Sequence, residues 1–475
     1  MASDEQESYA AVQSLRERCK FILRDCQERD AIEGMYRYTH SLTAEMGFLD
    51  KLIEDPSRIK KEYIQSSNLS YLEAVHEAIT QTRQLDQIME LKSVPPKDQE
   101  GWVPRAALMR RRQTVKVDLV SEHGLVWIKV IARNAKGLRF DMAGLELLDD
   151  DDDEDDDGFL GYDDSDDDDK QKEESLPPGI VGNDPFDDLP IFRKAKQYLT
   201  SAEAHPVHFQ TPRVIFAFMR LQPQGQDEYV ERILERLREL GIHVHVGAEG
   251  LLDSYYATHP HSKCRTTSSL NLDVSTTLAL ISEMSHHPCL PDQVLGEALQ
   301  IQARREQEAP ILPLLISIVR NKQLFMVQSA YDRLVQIVNV VGGPTEQARF
   351  RQLFDQEVYD PSYWTSFSTA DEQALLPLRI QVLPDQPSER FRGLLEPPAQ
   401  KNLLNNGRKI RSRFSEFHAV IFGSGDSYRM TTVTAIQWMQ QALLDASLTG
   451  TAIVSHEPRS LSEQKMYVAC KKTQV

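Results

Sequence analysis

Apolar residues recur at helical spacing along the first ninety residues of the chain. The spacing in LRERCKFILRDC, MGFLDKLI and SNLSYLEAVHEAI is that of amphipathic helices, and Ser67 or Asn68 is suited to cap the last of them. Residues 14–91 are therefore predicted to be helical. The two histidines of this stretch, His40 and His76, are isolated. The pattern is thus typical of a packing or interaction bundle rather than of a chemical site.

The pattern changes to strict alternation after residue 113. The segment TVKVDLVSEHGLVWIKVIAR alternates, breaks at residues 123–124 and alternates again, which predicts a β-hairpin. A helix, a strand, a helix and a strand are then predicted at residues 191–202, 213–219, 227–240 and 242–246. This order predicts a small α/β unit.

Short apolar strands alternate with helices throughout the C-terminal half. Strands are predicted at residues 270–272, 324–327, 379–383, 418–422 and 451–454. Gly423 and Gly425 are predicted to form a tight turn after the fourth strand, with Asp426 at the start of the next helix. Strands that alternate with helices form a parallel sheet with helices on both faces, and right-handed crossovers bring the strand ends to one edge.

The chain has 475 residues, which predicts two or three domains of overall α/β class. A helical N-terminal region is predicted at residues 1–95, followed by a small α/β unit of a hairpin plus strands at 96–255. The parallel-sheet domain is predicted at 265–475. The polar segment YYATHPHSKCR at residues 255–265 separates the last two. Two histidines and a cysteine within it have the residue types of metal ligands, but one such cluster is more typical of a loop.

The net charge of −18 is mostly local. Residues 149–169 contain fifteen Asp and Glu and no Lys or Arg, so the rest of the chain carries a charge of only about −3. Such a run repels itself and has little apolar surface to bury. Residues 147–178 are therefore predicted to be a disordered acidic insertion. The nearly neutral remainder does not exclude a nucleic-acid partner.

The cysteines indicate a reducing compartment. Their number is odd and no CxxC pair occurs, which argues against a disulfide framework or a zinc cluster. The first thirty residues lack an apolar signal region, and no uncharged apolar run is long enough to cross a membrane. The expected location is cytoplasmic, nuclear or both, without a membrane partner.

The stretch SLNLDVSTTLALI places Asp273 between a short strand and an apolar helix. Ser275 and Thr276 are suited to cap that helix. Carboxylates at the carboxyl ends of parallel strands commonly hold a divalent metal in the crevice there. Taken alone, the stretch is equally compatible with Asp273 acting only as a helix cap, and that interpretation stays open.

This stretch resembles the start of PIN-like nuclease domains, in which the first strand ends in an acid followed by Ser or Thr and an apolar helix. The resemblance extends to Asp332 in QSAYDRL, Asp426 in GDSYRMTTVTA and Glu457 beside His456 in SHEPRSL. It implies that Asp273, Asp332, Asp426 and Glu457 are catalytic, that Asp273 and Asp426 bind the metal directly, and that the cofactor is Mg²⁺ or Mn²⁺.

A second resemblance covers both halves of the chain. VLPDQPSER, GSGDS and HEPRSL, together with GLVWIKVIARNAKGL in the first half, are similar to a eukaryotic family known only as uncharacterised proteins with a PIN-like domain. PIN-like domains usually carry Glu where this chain has Asp332, and Asp or Asn where it has His456 and Glu457. A catalytically inactive PIN-like module that binds RNA or protein is therefore the alternative to a metal-dependent ribonuclease or phosphodiesterase.

Basic residues provide the expected contacts to RNA. The predicted set consists of Arg408, Lys409, Arg411, Arg413 and Arg429, with Phe414, Phe417 and Tyr428 available to stack on bases. A solvated basic loop explains the cluster equally well. A third hypothesis is an interaction protein that contacts a protein partner through the N-terminal helices or the acidic loop.

One weaker pair lies on the hairpin. Asp118 and Lys129 resemble the acid and lysine of restriction-endonuclease-like nucleases. The second acid usually found two residues before the lysine is missing, because Trp127 stands there. An exposed hairpin face is the preferred interpretation.

Overall fold

The computed structural model describes eleven segments of the chain, and the following statements concern only these. They are residues 2–29, 31–59, 67–94, 114–142, 189–225, 227–258, 266–355, 359–364, 377–395, 413–446 and 448–466. The predicted acidic insertion at 147–178 and the three possible metal ligands at 259–264 lie outside them. The chain divides into an N-terminal unit and a C-terminal unit, and the C-terminal unit includes the short segment 204–211.

The N-terminal unit is built on a mixed sheet. Its strands are β1 (Leu85–Ser93), β2 (Thr114–Ser121), β3 (Val126–Ile131), β4 (Arg213–Phe218) and β5 (His243–Val246), in that spatial order. The first three strands are antiparallel, whereas β4 and β5 are parallel to β3. The predicted hairpin and the two later strands are therefore confirmed.

Helices cover both faces of this sheet. They are α1 (Ala2–Gln27), α2 (Met35–Glu54), α3 (Leu69–Gln81), α4 (Ala135–Met142), α5 (Pro190–Ala204), α6 (Glu228–Glu239) and α7 (Asp253–Thr258). A 3₁₀ turn spans Pro56–Arg58. Along β4 the side chains alternate between two cores, with Ile215 in the core that includes α1–α3 and Phe216 in the core that includes α5 and α6.

The prediction that residues 14–91 form helices is wrong at its C-terminal end. Residues 85–93 form β1, which pairs with β2 in a register that contains a bulge between Leu85 and Gln87. The bulge interrupts the alternation from which a strand is recognised. Ile88 and Met89 are consecutive and both buried, a pattern that also occurs on helices.

The C-terminal unit is built on a parallel sheet. Its strands are β6 (Ser269–Leu272), β7 (Gln323–Val327), β8 (Ile380–Leu383), β9 (Thr431–Thr434) and β10 (Ile453–Ser455). The spatial order is β10-β9-β6-β7-β8, and every neighbouring pair is parallel. The predicted fold class is therefore confirmed at this level: a mixed α/β chain with a helical N-terminal region and a C-terminal parallel sheet flanked by helices.

The helices of this unit surround one main apolar core. They are α8 (Val274–Ile281), α9 (Glu283–His286), α10 (Glu297–Glu308), α11 (Ile311–Val319), α12 (Gln328–Val341), α13 (Pro344–Phe354), α14 (Glu389–Arg392), α15 (Glu416–Ser427) and α16 (Trp438–Asp445). Short 3₁₀ turns occupy Pro291–Gln293, Pro361–Trp364 and Gly393–Leu395. Within the described residues, no helix is both long and apolar enough to span a bilayer.

One strand prediction is wrong in a way that affects the site. Residues 418–422 (HAVIF) lie inside α15, and the fourth strand of the sheet is β9, TTVT, which was predicted to be helical. Gly423 and Gly425 lie inside the helix and form no turn. A Cβ on Gly423 would come within 2.9 Å of the Phe391 side chain, and one on Gly425 would collide with Thr432. The glycines therefore allow α15 to pack closely against α14 and β9.

Candidate functional site

The order of the C-terminal sheet reverses at β6. The chain adds β7 and β8 on one side of this strand and then returns to add β9 and β10 on the other side. In open parallel sheets, ligands bind outside the carboxyl ends of the strands at such a reversal. The candidate site is therefore the region where β6 and β9 end.

Asp273 lies at this reversal and is 4% exposed. It follows β6 directly and is the N-cap of α8, since its Oδ1 accepts a hydrogen bond from the Thr276 backbone N–H at 2.8 Å. The Ser275 hydroxyl lies 2.8 Å from both carboxylate oxygens. From the neighbouring strand, the Thr434 hydroxyl donates to Oδ2 at 2.6 Å. The helix cap is therefore Asp273 itself, and the predicted Ser and Thr caps lie in the first turn.

Further hydrogen bonds join α8 to the ends of β9 and β10. The Thr276 hydroxyl donates to the Val433 carbonyl at 2.8 Å and lies 2.9 Å from Nε2 of His456. The Ser275 hydroxyl accepts a hydrogen bond from the Ala435 backbone N–H at 2.7 Å. Burial lowers the pKa of His456. The polar groups of this edge thus form one connected hydrogen-bond network within the C-terminal unit.

His418 and an aromatic cluster lie next to this network. His418 is in the first turn of α15 and packs edge-on against Trp438 with ring centroids 5.7 Å apart. Burial lowers its pKa, and the Asp273 carboxylate acts in the opposite direction. Phe417 beside it is 36% exposed. Sequence reasoning missed His418 because its segment was assigned to a strand. The signal that identifies the helix is Ser415, whose hydroxyl caps it three residues before His418.

Asp332 lies on the surface of α12. Its Oδ1 accepts a hydrogen bond from the Gln328 side chain at 2.8 Å, one helical turn earlier. An acid that was not predicted, Asp385, follows β8 and accepts a hydrogen bond from the Ser329 backbone N–H at 3.0 Å. Asp385 therefore caps the start of α12 from a different strand. The sequence signal for it was an acid directly after a strand, the same signal that identified Asp273.

Asp426 lies away from the strand ends. It is in the last turn of α15, before β9, and not at the start of a helix as predicted. Because β6 and β9 are parallel, with Leu270 beside Thr431, Asp426 precedes one strand while Asp273 follows the other. Because a strand of four residues is about 13 Å long, Asp426 and Asp273 lie at opposite ends of these two strands. The Arg390 guanidinium donates to Asp426 at 2.7 Å and to the Thr449 carbonyl at 2.9 Å, so Asp426 belongs to an ion pair.

Glu457 lies on the loop that follows β10, and its side chain is 49% exposed. It pairs with Arg305 at 2.9 Å and accepts a hydrogen bond from the Gln437 amide at 2.7 Å. The structure thus brings Asp273 together with His418, Thr434 and His456. It does not bring Asp273, Asp332, Asp426 and Glu457 into one cluster.

These residues do not fit a divalent metal ion. The hydrogens of a backbone amide and of hydroxyls already point at both oxygens of Asp273. A carboxylate offers about four lone-pair sites, so these three donors leave Asp273 only about one for a cation, and Asp332, Asp426 and Glu457 are each bonded elsewhere. Asp426 and Glu457 are each paired with an arginine. Within the segments that the structure describes, no group of three or more His, Cys, Asp or Glu could hold a metal ion.

The predicted RNA contacts are only partly described. Arg408, Lys409 and Arg411 lie outside the described residues. Arg413 is exposed and precedes α15 by three residues. Arg429 lies between α15 and β9, with its guanidinium 5.0 Å from the centre of the Phe209 ring. Of the predicted basic residues that the structure describes, Arg413 is the one close in sequence to the exposed Phe417.

The weaker pair on the hairpin is buried. Nζ of Lys129 lies 3.4 Å from Oδ2 of Asp118, and both side chains are less than 5% exposed. Asp118 also accepts hydrogen bonds from the Tyr71 hydroxyl and the Val130 backbone N–H, each at 2.6 Å. The expectation of an exposed hairpin face is wrong. The pair is a hydrogen-bonded part of the interior.

Two family models match parts of the chain. Residues 1–145 match a family of unknown function, DUF5614, and residues 270–362 match a family described as a protein of unknown function, DUF1308. The second match begins at β6 and contains Asp273 and Asp332. These matches agree with the resemblance to an uncharacterised family, and neither description mentions a nuclease. No solved structure matches the chain.

Proposed function

We propose that the C-terminal unit is a PIN-like domain that binds single-stranded RNA and does not use Asp273 for metal-dependent cleavage. The parallel sheet, with an acid after its first strand and an apolar helix behind it, supports the PIN-like assignment. The observation that carries the non-catalytic part is the hydrogen bonding of Asp273. Its carboxylate accepts hydrogen bonds from Ser275, Thr276 and Thr434 and joins α8 to β9.

The RNA-binding part of the proposal rests on the surface around the start of α15. Phe417 is 36% exposed, and Arg413 is exposed one turn before it. An exposed aromatic ring next to a guanidinium suits single-stranded RNA, because bases stack on the ring while the cation contacts the phosphate. His418, in the same turn of α15 as Phe417, packs edge-on against Trp438 and so anchors this surface to the rest of the unit.

A metal titration tests the non-catalytic part. The melting temperature is measured with increasing Mn²⁺ or Mg²⁺ for the wild type and for Asp273→Asn, both with residues 149–169 deleted so that the acidic run cannot bind the ion. A specific site raises the stability of the folded state by about 2.7 kcal/mol at a hundredfold excess over its dissociation constant. We expect equal responses from the two proteins. A rise that only the wild type shows, together with Mn²⁺-dependent RNA cleavage, would establish the metal-dependent nuclease instead.

An RNA titration tests the binding part. Fluorescence anisotropy of a labelled single-stranded RNA is followed in EDTA for the wild type, Phe417→Ala and Arg413→Gln. We expect Phe417→Ala to weaken binding about tenfold, since stacking of one base on an aromatic ring contributes about 1–3 kcal/mol. The matched controls are Phe21→Ala and Arg333→Gln, which remove an exposed phenylalanine and an exposed arginine elsewhere. Unchanged binding by Phe417→Ala, or no RNA binding by the wild type, contradicts the proposal and favours a protein partner.

A further inference from the structure

The N-terminal unit contains a cavity at one edge of its sheet. The cavity has a volume of about 410 Å³ and lies between the starts of β4 and β5, the end of α6 and the helix α7. Its polar lining consists of Arg213, Arg238, His243, His245, Ser254 and Tyr255. None of the described residues that line it is Asp or Glu, although the Asp253 carboxylate acts on His245. Sequence analysis did not single out any of these residues as a site.

The two arginines of the lining are not paired with a carboxylate. Among the described residues, neither Arg213 nor Arg238 forms an ion pair or a side-chain hydrogen bond. The Arg213 guanidinium lies over the Tyr255 ring, 5.3 Å from its centre, which fixes it at the cavity wall. Arg238 is exposed in the last turn of α6. Two guanidinium groups with free N–H donors therefore face one cavity.

The two histidines of the lining add no permanent charge. Burial, and then the nearby Arg213, lowers the pKa of His243. Burial also lowers the pKa of His245, which the Asp253 carboxylate partly opposes. Nε2 of His245 lies 2.9 Å from the Gly247 carbonyl, which can only accept, so this nitrogen carries the proton. Arg213 and His243 both line the cavity, whereas the N–H of His245 is used by the Gly247 carbonyl.

A second cavity, in the C-terminal unit, provides a contrast. It has a volume of about 430 Å³, lies at the starts of β7 and β8, and is also lined by two cations, Lys322 and Arg379. There, Nζ of Lys322 donates to the Thr266 carbonyl at 2.9 Å, and Arg379 donates to the Gln352 carbonyl. Those cations are used by the fold. The two cavities therefore have similar volumes and similar positive charge. They differ in whether the side-chain N–H donors of their cations are already hydrogen-bonded within the protein.

We propose that the cavity of Arg213 and Arg238 binds a phosphate group. Guanidinium groups present planar pairs of N–H donors that match phosphate oxygens, and the volume is within the range of small-ligand pockets. Two permanent positive charges suit a diphosphate, present either in a free phosphorylated small molecule or as adjacent phosphates of a nucleic-acid backbone. The proposal concerns the N-terminal unit and does not rest on the proposed function of the C-terminal unit.

Isothermal titration with sodium pyrophosphate tests the proposal. The full chain is titrated in EDTA as wild type, as Arg238→Gln and as the double variant Arg213→Gln, Arg238→Gln. We expect the wild type to bind one pyrophosphate, and each variant to lose about tenfold or more in affinity, since each loses a charge-assisted contact. The matched control is Arg236→Gln, which removes the same charge two residues away in α6, where Arg236 pairs with Glu239 at 2.9 Å. It should bind like the wild type.

A second arm identifies the source of the phosphate. Single-stranded RNA is titrated in a Phe417→Ala, Arg413→Gln background, so that failure of the C-terminal RNA site and failure of this cavity can be told apart. Pyrophosphate binding without RNA binding assigns a free phosphorylated molecule. RNA binding that is lost with Arg213 and Arg238 assigns the backbone. Equal binding by wild type and Arg238→Gln, which is exposed and should fold, overturns the proposal. An equal loss of pyrophosphate affinity in Arg236→Gln overturns it too, because the affinity would then depend only on the net charge of the protein.

Discussion

Asp273 and the arginine pair of the N-terminal cavity show two different uses of charge at the edge of a sheet. Asp273 is buried, and donors from α8 and β9 occupy both of its oxygens. Arg213 and Arg238 line a cavity and have no anionic partner among the described residues. The position of an acid between a strand and a helix drew attention to Asp273, whereas the arginines without a carboxylate partner among the described residues lie in the other unit. The comparison therefore rests on which side-chain donors and acceptors are already used by the fold.

A comparison of two helix caps isolates what is special about Asp273. Asp227 caps α6 by accepting hydrogen bonds from Tyr229 and Val230 at 3.0 Å. Asp273 caps α8 in the same way but also receives the Thr434 hydroxyl from β9. The hydrogen bonds of the first cap lie within three residues of Asp227. The second also connects two parts of the chain that are 161 residues apart.

The largest effect is expected for Asp273→Ala. The substitution removes a cap and leaves the buried hydroxyl of Thr434 without its acceptor, so we expect the free energy of local opening of α8 to fall by about 3 kcal/mol. Asp227→Ala is the comparison, and the loss of its two cap hydrogen bonds should destabilise α6 by about 1 kcal/mol. Hydrogen exchange of the amides in Val274–Ile281 and Glu228–Glu239 measures both effects. Equal losses would mean that Asp273 is only a local cap with oxygens available for a ligand.

A pH titration of stability tests a second buried polar side chain of the C-terminal unit, His286. His286 is 3% exposed, and Nε2 lies 2.8 Å from the Leu280 carbonyl. Burial lowers the pKa of His286 to about 3, and Arg349 and His287 lower it further, while the Leu280 carbonyl opposes this. Because an unfolded histidine has a pKa near 6.5, the unfolded chain binds the proton first. Stability is therefore complete above about pH 6.5 and decreases as the pH falls.

We expect the loss from His286 to reach about 2 kcal/mol between pH 7 and pH 5. Urea unfolding followed by tryptophan fluorescence measures it, since Trp364 packs against His286 with ring centroids 5.5 Å apart. His286→Gln keeps a donor for the Leu280 carbonyl and removes the titration, so its unfolding midpoint should depend less on pH. The buried carboxyls Glu306 and Glu346, whose pKa values burial raises, oppose the trend at lower pH. The same slope in His286→Gln would assign the pH dependence to other groups.

The sequence predicted those parts of the fold that depend on neighbouring residues. Apolar periodicity located the hairpin, α5, α6 and the strand–acid–helix unit around Asp273, each within a few residues. The periodicity gave the wrong element where contacts between distant segments determine whether a segment is a helix or a strand. HAVIF contains β-branched residues and suits a strand, yet Gly423 and Gly425 let the same segment pack as a helix against α14 and β9.

The candidate site was harder to predict than the fold because its partners are remote in sequence. Asp426 was placed at a helix start from local pattern, but its role is set by Arg390, 36 residues earlier. Thr434 meets Asp273 across 161 residues, and its segment was assigned to a helix. In the cavity of the N-terminal unit, Arg213 and Arg238 are ordinary residues of a strand and an amphipathic helix. Nothing in their spacing indicates that they face the same space.

The smallest effect is expected for Arg238→Gln. Because its guanidinium is exposed and has no partner among the described residues, removing it should change the free energy of unfolding by no more than about 0.5 kcal/mol. Lys322→Met in the second cavity is the comparison, since it removes a donor from the Thr266 carbonyl and should be more destabilising, by about 1 kcal/mol. Urea unfolding midpoints measure both variants. If Arg238→Gln is as destabilising as Lys322→Met, Arg238 serves the fold, and the contrast between the two cavities no longer supports a phosphate site.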